Sequence, residues 1–185
     1  AITDYTVSGI SAQTEAGSYP ITITGKGEYK GTKTVNYNIT QRSISDASVQ
    51  FSPTSFVYNH QNQAPAANTV QVYLQGQHLT LNTDYNNVTI PTSQDANTYT
   101  ISVNGRGNFT GTASNTYTIT KMPISNCTFT GSTSFTYDGN TQKPSITVND
   151  GVADLTEGVH YTVTYSDGNS KDVGSYTMTF TAKDE

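Results

Sequence analysis

The strongest constraint on this chain is an internal repeat. Residues 25–32 (GKGEYKGT) return 80 positions later as residues 105–112 (GRGNFTGT), and a degenerate third copy lies near Ala182. The register extends into the flanking strand-like sequence, so that Tyr19 corresponds to Tyr99. A period of this length indicates one small module that is used several times.

The repeat divides the chain into three parts. Residues 1–41 are predicted to be the C-terminal half of a module, residues 42–121 a complete module, and residues 122–185 a module without its last strand. The matching junctions at 37–45 and 117–125 leave about two or three residues between the last strand of one module and the first strand of the next. Because such short links hold neighbours in a semi-rigid line, the pattern predicts an elongated rod.

Side chains alternate with a period of two and not 3.6. After Pro20, residues 21–31 place apolar residues or glycine at odd positions and polar residues at even positions, as in a strand with one buried face. The chain is therefore predicted to be all-β and built of small Ig-like β-sandwich modules, with β-grasp-like modules as the alternative. Further strands are predicted at 4–10, 34–40, 48–51, 69–74, 85–90, 98–104, 113–120, 128–130, 145–148, 161–165 and 175–180.

The glycine motif is predicted to be structural. Gly25, Gly27, Gly105 and Gly107 fall on the inward face of this alternation, where glycine permits a bulge, a sharp bend or an aromatic ring over the backbone. The motif lacks the spacing and the following helix of a phosphate-binding loop. The aromatic candidates for covering the glycines are Tyr29, Phe109, Tyr37 and Tyr117.

Composition excludes several classes of protein. The nine Lys and Arg residues are scattered and the net charge is −5, which argues against nucleic-acid binding. No apolar run approaches the ~18 residues of a membrane-spanning helix. Only 12% of the residues are charged, but 13 tyrosines in regular alternation favour a folded chain over a disordered one.

Few residues of this chain could take part in catalysis or metal binding. His60, His78 and His160 have no partner at metal-ligand spacing, and the strand-turn-helix motif of a serine hydrolase is missing. We therefore predict no enzymatic activity and no cofactor. The lone Cys127 is interpreted as a small buried hydrophobe, with a reactive thiol or an intermolecular bridge as the alternatives.

Bound calcium and an internal isopeptide bond remain alternative hypotheses. The oxygen-rich loops at 149–154 and 167–172 are interpreted as turns, and bound calcium is the other hypothesis. An isopeptide bond from Lys33 or Lys121 to a nearby asparagine would need an acidic partner, which the sequence does not identify.

A resemblance to known repeats rests on residues 135–139 (FTYDG), 143–144 (KP), 155–165 (LTEGVHYTVTY) and 173–176 (VGSY), together with the glycine motif. These residues resemble tandem MBG-type and YDG-type Ig-like repeats of bacterial cell-surface and adhesin proteins. The resemblance covers essentially the whole chain. It implies an extracellular or wall-attached protein in which the modules act as spacers, sometimes near a ligand-binding head. The middle copy departs from the pattern with YNH at 58–60, which implies a different turn there.

The leading functional hypothesis is a non-enzymatic spacer on a bacterial cell surface that presents a functional head or mediates adhesion. One alternative is a module that itself binds a host glycan or an extracellular protein. The other is an accessory module of a secreted carbohydrate-active enzyme. Neighbouring repeat modules are the expected partners in each case.

The incomplete first and last modules predict open sheet edges. Because unpaired edges recruit strands, we expect strand exchange, in which the first segment of one chain covers the last module of another.

Overall fold

The computed structural model describes residues 4–183 and confirms that this part of the chain is all-β. Short 3-10 helices occur at Ala67–Thr69 and Ile124–Asn126. The strands are β1 (Tyr5–Ser8), β2 (Gly17–Gly25), β3 (Thr32–Ile39), β4 (Arg42–Ser43), β5 (Ser48–Gln50), β6 (Ser55–Val57), β7 (Gln71–Leu74), β8 (Gln77–Leu79), β9 (Tyr85–Thr89), β10 (Asn97–Gly105), β11 (Phe109–Thr110), β12 (Thr112–Thr120), β13 (Thr128–Thr130), β14 (Thr147–Asn149), β15 (Tyr161–Tyr165) and β16 (Met178–Ala182).

The chain forms two compact units. The first unit contains the chain as far as Phe56 together with Asn62–Ile119, and the second contains Val57–Gln61 together with the chain from Thr120 onward. The first unit therefore combines the opening segment, residues 4–41, with most of the middle module, residues 42–121. The three-part division expected from the repeat stays a prediction.

The opening segment forms an antiparallel sheet in the order β1-β2-β3. Tyr19 of β2 lies opposite Tyr37 of β3, and their ring centroids are 5.4 Å apart. The middle module repeats this pairing in β10 and β12, where Tyr99 lies opposite Tyr117 at the same centroid distance of 5.4 Å. The sequence repeat is thus also a repeat of strand register.

The middle module adds strands around this hairpin. Its larger sheet has the order β6-β12-β10-β9, and a smaller sheet has the order β5-β7-β8. The backbone of Thr118 donates to the carbonyl of Thr54, and the backbone of Tyr58 donates to the carbonyl of Thr120. These two bonds advance in the same direction on both strands, which is the pattern of a parallel pair between β6 and β12.

The core of the first unit comes from alternate residues of these strands, as the period of two dictates. Ile101 and Val103 of β10 and Tyr117 of β12 are buried, and so are Val72 and Leu79 of the smaller sheet. The buried apolar residues of this unit include Ile44, Ala47, Val49, Phe51, Val70, Val72, Leu74, Leu79, Tyr85, Ile101, Val103, Ala113, Tyr117 and Ile119.

The second unit has a smaller core. Its strands form two antiparallel pairs, β13 with β14 and β15 with β16. Val148 and Tyr161 are its buried apolar residues, and Phe180 contacts both Tyr161 and Phe129 with ring centroids 5.7 and 4.9 Å away. The Ig-like sandwich and its β-grasp-like alternative stay predictions for both units.

The three copies of the repeat share individual hydrogen bonds. In each copy a tyrosine hydroxyl donates to the backbone carbonyl four residues earlier. In each copy, too, the basic residue that follows β2, β10 or β16 donates its backbone N–H to the carbonyl of the residue that precedes β1, β9 or β15. The tyrosine bonds are Tyr19 to Glu15 (2.7 Å), Tyr99 to Asp95 (2.8 Å) and Tyr176 to Asp172 (2.8 Å). The backbone bonds are Lys26 to Asp4 (2.7 Å), Arg106 to Asp84 (2.9 Å) and Lys183 to His160 (3.0 Å).

Candidate functional site

The glycine motif forms the same closed loop twice. In the opening segment the N–H of Gly25, at the end of β2, donates to the carbonyl of Gly31 at 3.0 Å. In the middle module Gly105, at the end of β10, donates to Gly111 at 2.8 Å. Each loop therefore joins two antiparallel strands and reverses the chain.

The prediction that all four motif glycines lie on an inward strand face is wrong for Gly27 and Gly107. Both have positive φ, +63° and +65°, and each occupies the first central position of a turn closed by a backbone hydrogen bond. A positive φ there, followed by a residue without one, is the signature of a type II′ turn, in which glycine is favoured. The alternation of inward and outward side chains ends before Gly27 and Gly107, because the chain reverses there. Of the roles predicted for the motif, these two glycines therefore take that of a sharp bend.

Gly25 and Gly105, the other two glycines of the motif, allow the backbone of their own loop to approach closely. A Cβ added to Gly25 would lie 2.9 Å from the backbone carbon of Tyr29, and one added to Gly105 would lie 2.7 Å from the backbone nitrogen of Thr110. Tyr29 is 65% exposed, and the atoms nearest to a Cβ at Gly25 are backbone atoms of Tyr29 and Lys30. Phe109 is half-buried. The backbone of the loop itself, and not a ring, is what excludes a side chain.

The motif loop of the middle module also contacts the opening segment within the first unit. The Asn108 side chain accepts the backbone N–H of Ala16 at 2.7 Å and donates to a carboxylate oxygen of Glu15 at 2.6 Å. The Gln41 amide donates to the carbonyl of Gly107 at 2.9 Å. The loop therefore holds both ends of the β2–β3 hairpin region to the module that follows.

The junction itself is hydrogen-bonded. β3 ends at Ile39 and β4 begins at Arg42, whose backbone N–H donates to the carbonyl of Asn108 at 2.9 Å. β4 then pairs in parallel with β11 of the motif loop. Only two residues separate β3 from β4, which leaves little backbone freedom at this point.

A polar cluster lies in the second unit. His60 contacts a carboxylate oxygen of Asp150 through Nε2 at 2.7 Å, and its Nδ1 is 2.8 Å from the hydroxyl of Tyr58. The Asp150 side chain is only 7% exposed. The cluster fastens residues 57–61 to the turn that follows β14, and its three groups are mutually satisfied.

Asp150 is held in its charged form. Burial acts to raise the pKa of its carboxyl, but hydrogen bonds from the backbone of Ala153 and Val152 and from His60 outweigh burial and lower the pKa. In the register of the repeat Asp150 takes the place of Leu74, a buried residue of the middle module. The cluster is thus a polar replacement for part of a core.

Cys127 occupies the position of a small core residue. Its backbone N–H donates to Ile124 at 3.0 Å, as that of Ala47 donates to Ile44 at 2.8 Å one repeat earlier. Cys127 is half-buried, and burial, followed by the charge of Asp150, raises the pKa of its thiol. A raised pKa disfavours the reactive thiolate.

The two oxygen-rich loops use their oxygens for turns. Asp150 accepts the backbone N–H groups of Val152 and Ala153, and Asn149 accepts that of Gly151. In the second loop Asp167 accepts the N–H of Asn169 at 2.9 Å. Within residues 4–183, His, Cys, Asp and Glu side chains do not gather in groups of three or more that could hold a metal ion. No helix of this same part of the chain combines the length and apolar character needed to span a bilayer.

A groove of about 340 Å³ lies in the second unit. It is lined by residues 133–137, by Gln142, Pro144 and Tyr165, and by residues 170–176 and Met178. Phe135, Tyr137 and Tyr176 line it and are 46%, 59% and 38% exposed. No feature of the sequence was predicted to form this groove, although residues 134–139 (SFTYDG) align with residues 55–60 (SFVYNH) and so mark one part of its lining.

The charge of the groove is modest. The Lys143 ammonium lies 5.1 Å from the centroid of the Tyr165 ring, a cation–π contact. Lys171 and Asp172 contribute one charge of each sign to the lining. The groove therefore presents aromatic faces and backbone groups more than net charge.

Comparison with known proteins gives one family match. Residues 124–184 match the family model of the MBG domain, which supports the resemblance to MBG-type repeats for this third of the chain. No curated protein matches the chain, and no solved structure does.

Proposed function

We propose that this chain is a non-enzymatic repeat region of a bacterial cell-surface protein, in which the modules space or present a functional head. The observation that carries the proposal is the junction in the first unit. Two residues separate β3 from β4, and the side chains of Gln41 and Asn108 bond across the junction to the neighbouring repeat. Such a link favours a semi-rigid line of modules over a flexible tether.

The family match supports the coarser part of this proposal. An MBG domain is a repeat module, and the match at residues 124–184 agrees with a protein built of such modules. The adhesin context and the extracellular location at a bacterial surface are inferences from the resemblance.

Polar residues at equivalent positions support a non-enzymatic role. A carboxylate oxygen of Asp84 accepts the backbone N–H of Thr80 at 2.8 Å, and Nδ1 of His160 accepts that of Thr156 at the same distance one repeat later. Aspartate and histidine can replace one another at this position of the repeat because each supplies one hydrogen-bond acceptor to a turn. A catalytic role would not tolerate such an exchange, because the two groups differ in charge and basicity.

Small-angle X-ray scattering on a protein with additional tandem copies of residues 42–121 tests the spacer role. The maximum dimension should rise linearly with the number of copies. In a matched control, a flexible Gly-Ser insertion between Thr40 and Gln41 and at the equivalent junctions should shorten the mean dimension. A compact particle, or equal profiles with and without the insertion, would reject the proposal.

A second candidate function is binding of a host glycan or extracellular protein, which is favoured by the aromatic groove of the second unit. An array of glycans and matrix proteins separates the two candidates, since a pure spacer gives no saturable binding. The accessory-module alternative predicts that a carbohydrate-active catalytic domain is encoded in the same gene.

A further inference from the structure

The middle module contains a long stretch without formal charge. Residues 47–83 include no Lys, Arg, Asp or Glu, although such residues make up 12% of the chain. In the repeat register this stretch aligns with residues 127–159, which contain five of them, namely Asp138, Lys143, Asp150, Asp154 and Glu157. Since the aligned stretch of the second unit is charged, neutrality is a property of the middle module and not a requirement of the repeat.

The uncharged stretch forms the small sheet β5-β7-β8, one face of which points outward. Val49, Val72 and Leu79 are buried, so the residues that alternate with them lie on the opposite face. In the strand register Tyr73 lies opposite both Ser48 and His78, which makes one row across the three strands, and Gln71 lies opposite Gln50 beside this row. We call these residues the Tyr73 face, and its members are Ser48, Gln50, Gln71, Tyr73 and His78.

The Tyr73 face combines aromatic rings with amide groups. The ring centroids of Tyr73 and His78 are 5.1 Å apart and their planes are inclined by 54°. Tyr73 is half-buried and His78 is exposed. The Tyr73 hydroxyl donates to Oε1 of Gln71 at 2.7 Å, which orients the Gln71 amide nitrogen, a group that can donate two hydrogen bonds. The face therefore presents apolar rings next to hydrogen-bonding groups without charge.

The aromatic pair is not needed to hold these strands together. In the second unit Asn149 and Asp154 take the places of Tyr73 and His78. They form an antiparallel bridge, and the Asn149 side chain donates to Asp154 at 2.7 Å. Because the same backbone pairing accepts two polar side chains, the rings of the middle module are free to serve a purpose other than folding.

We infer that the Tyr73 face binds a neutral oligosaccharide. A sugar ring has apolar C–H groups that stack on aromatic faces, and its hydroxyls exchange hydrogen bonds with amides at its rim. Because the two rings are inclined by 54°, one flat sugar ring stacks on one of them and not on both, which favours an oligosaccharide over a single sugar. Residues 47–83 offer no cation to an acidic sugar. This site is separate from the groove of the second unit.

Isothermal titration calorimetry of the full chain tests the inference with cellohexaose, laminarihexaose, mannohexaose and chitohexaose as neutral probes. At least one of them should bind saturably, one per chain, with a dissociation constant below about 1 mM. Hexagalacturonic acid, the anionic counterpart, should bind at least about tenfold more weakly, since it meets no opposite charge on this face. Absence of saturable binding by all four neutral probes, or equal affinity for the anionic one, would overturn the inference. The scattering experiment tests the spacing role separately, because it uses no ligand.

Variants of the chain assign the binding to the Tyr73 face. Tyr73→Asn together with His78→Asp gives the middle module the pair that the second unit already carries, so we expect this variant to fold. It should bind the sugar at least about tenfold more weakly, because both rings are lost. Tyr29→Ala is the matched control, since Tyr29 is a tyrosine outside this face that is 65% exposed, and it should bind as the unaltered chain does. Unchanged affinity in the double variant would reject the assignment.

Gln50→Ala provides a check that does not alter a ring. Gln50 is exposed, so the variant should fold, and loss of one amide should weaken binding about threefold to tenfold. In nuclear magnetic resonance spectra of the unaltered chain, the sugar should shift the amide signals of β5, β7 and β8 and leave those of residues 133–137 in place. Shifts confined to residues 133–137 would assign the sugar to the groove of the second unit and overturn the inference.

Discussion

The middle module and the second unit carry the same sequence pattern but complete it to different degrees. The middle module has a four-stranded sheet in which β12 lies between two partners, and Tyr117 is fully buried. The second unit has the equivalent aromatic residues and the equivalent turns, yet Phe135 and Tyr176 remain partly exposed. The difference teaches that alternation makes a segment competent to be a strand, whereas a bonded neighbour makes it one.

The largest expected effect comes from the tyrosine at the centre of this comparison. Tyr117→Ala should lower the free energy of unfolding of the first unit by about 3–5 kcal/mol, because it leaves a cavity against Tyr99 and Phe56. Tyr176→Ala, at the open position of the second unit, should cost less than ~1.5 kcal/mol. Differential scanning calorimetry measures both. Equal losses would mean that the two positions are packed alike, contrary to the comparison.

The close approach of backbone at the motif loop predicts a smaller loss. Gly105→Ala should destabilise the chain by about 1–3 kcal/mol, because the new Cβ would meet the backbone of Thr110. Gly168→Ala is the control in the second unit, since its backbone is not in the positive-φ region and its Cβ would meet open space. Urea titration gives both values. A neutral Gly105→Ala would show that the loop relaxes without cost.

The polar cluster of Tyr58, His60 and Asp150 predicts that the stability of the second unit depends on pH. Leu74, at the position equivalent to Asp150 in the middle module, gives no such dependence. Because the pKa of Asp150 is lowered on folding, its stabilising contribution is present above the ordinary aspartate pKa of about 3.9 and is lost as pH falls through the lowered value. Asp150→Asn should cost about 1–3 kcal/mol at neutral pH and remove this dependence. Thermal melts of both proteins between pH 2 and pH 7 measure it. Parallel melting curves for the two proteins across this range would contradict the assignment.

The smallest expected effect is at the contact between the motif loop and the opening segment. Asn108→Ala removes one part-buried and one exposed hydrogen bond and should cost about 0.5–1 kcal/mol, with faster hydrogen exchange at the amide of Ala16. Glu28→Ala, at the equivalent position of the opening segment, should leave stability nearly unchanged, because Glu28 is exposed. Unchanged exchange at Ala16 in the Asn108 variant would remove this contact from the junction.

Much of the strand pattern follows from the sequence, because period-two alternation is a local property. The strands at 128–130 and 161–165 were predicted with the bounds that the structure has. β4 and β11 were not predicted, since each has two residues and exists through a parallel pairing between distant parts of the chain. The strand predicted at 175–180 begins at Met178 instead, because no strand within residues 4–183 pairs with residues 175–177.

The functional features were less predictable, because they too depend on contacts between distant parts of the chain. The motif glycines could be identified from the repeat, but their division into turn and close-approach positions depends on where the chain reverses. The pair of His60 and Asp150 joins residues 90 positions apart and has no counterpart in the other copies. The groove is visible only when the burial of Phe135 and Tyr176 is compared with that of their equivalents.

Hydrogen exchange with mass spectrometry tests the central claim most directly. In the free chain, amides of residues 134–136 and 175–177 should exchange much faster than those of β6 and of residues 97–100, which are bonded to β12. Equally slow exchange at these segments of the two modules would contradict the account, in which hydrogen bonds to a neighbouring strand turn a competent segment into a strand.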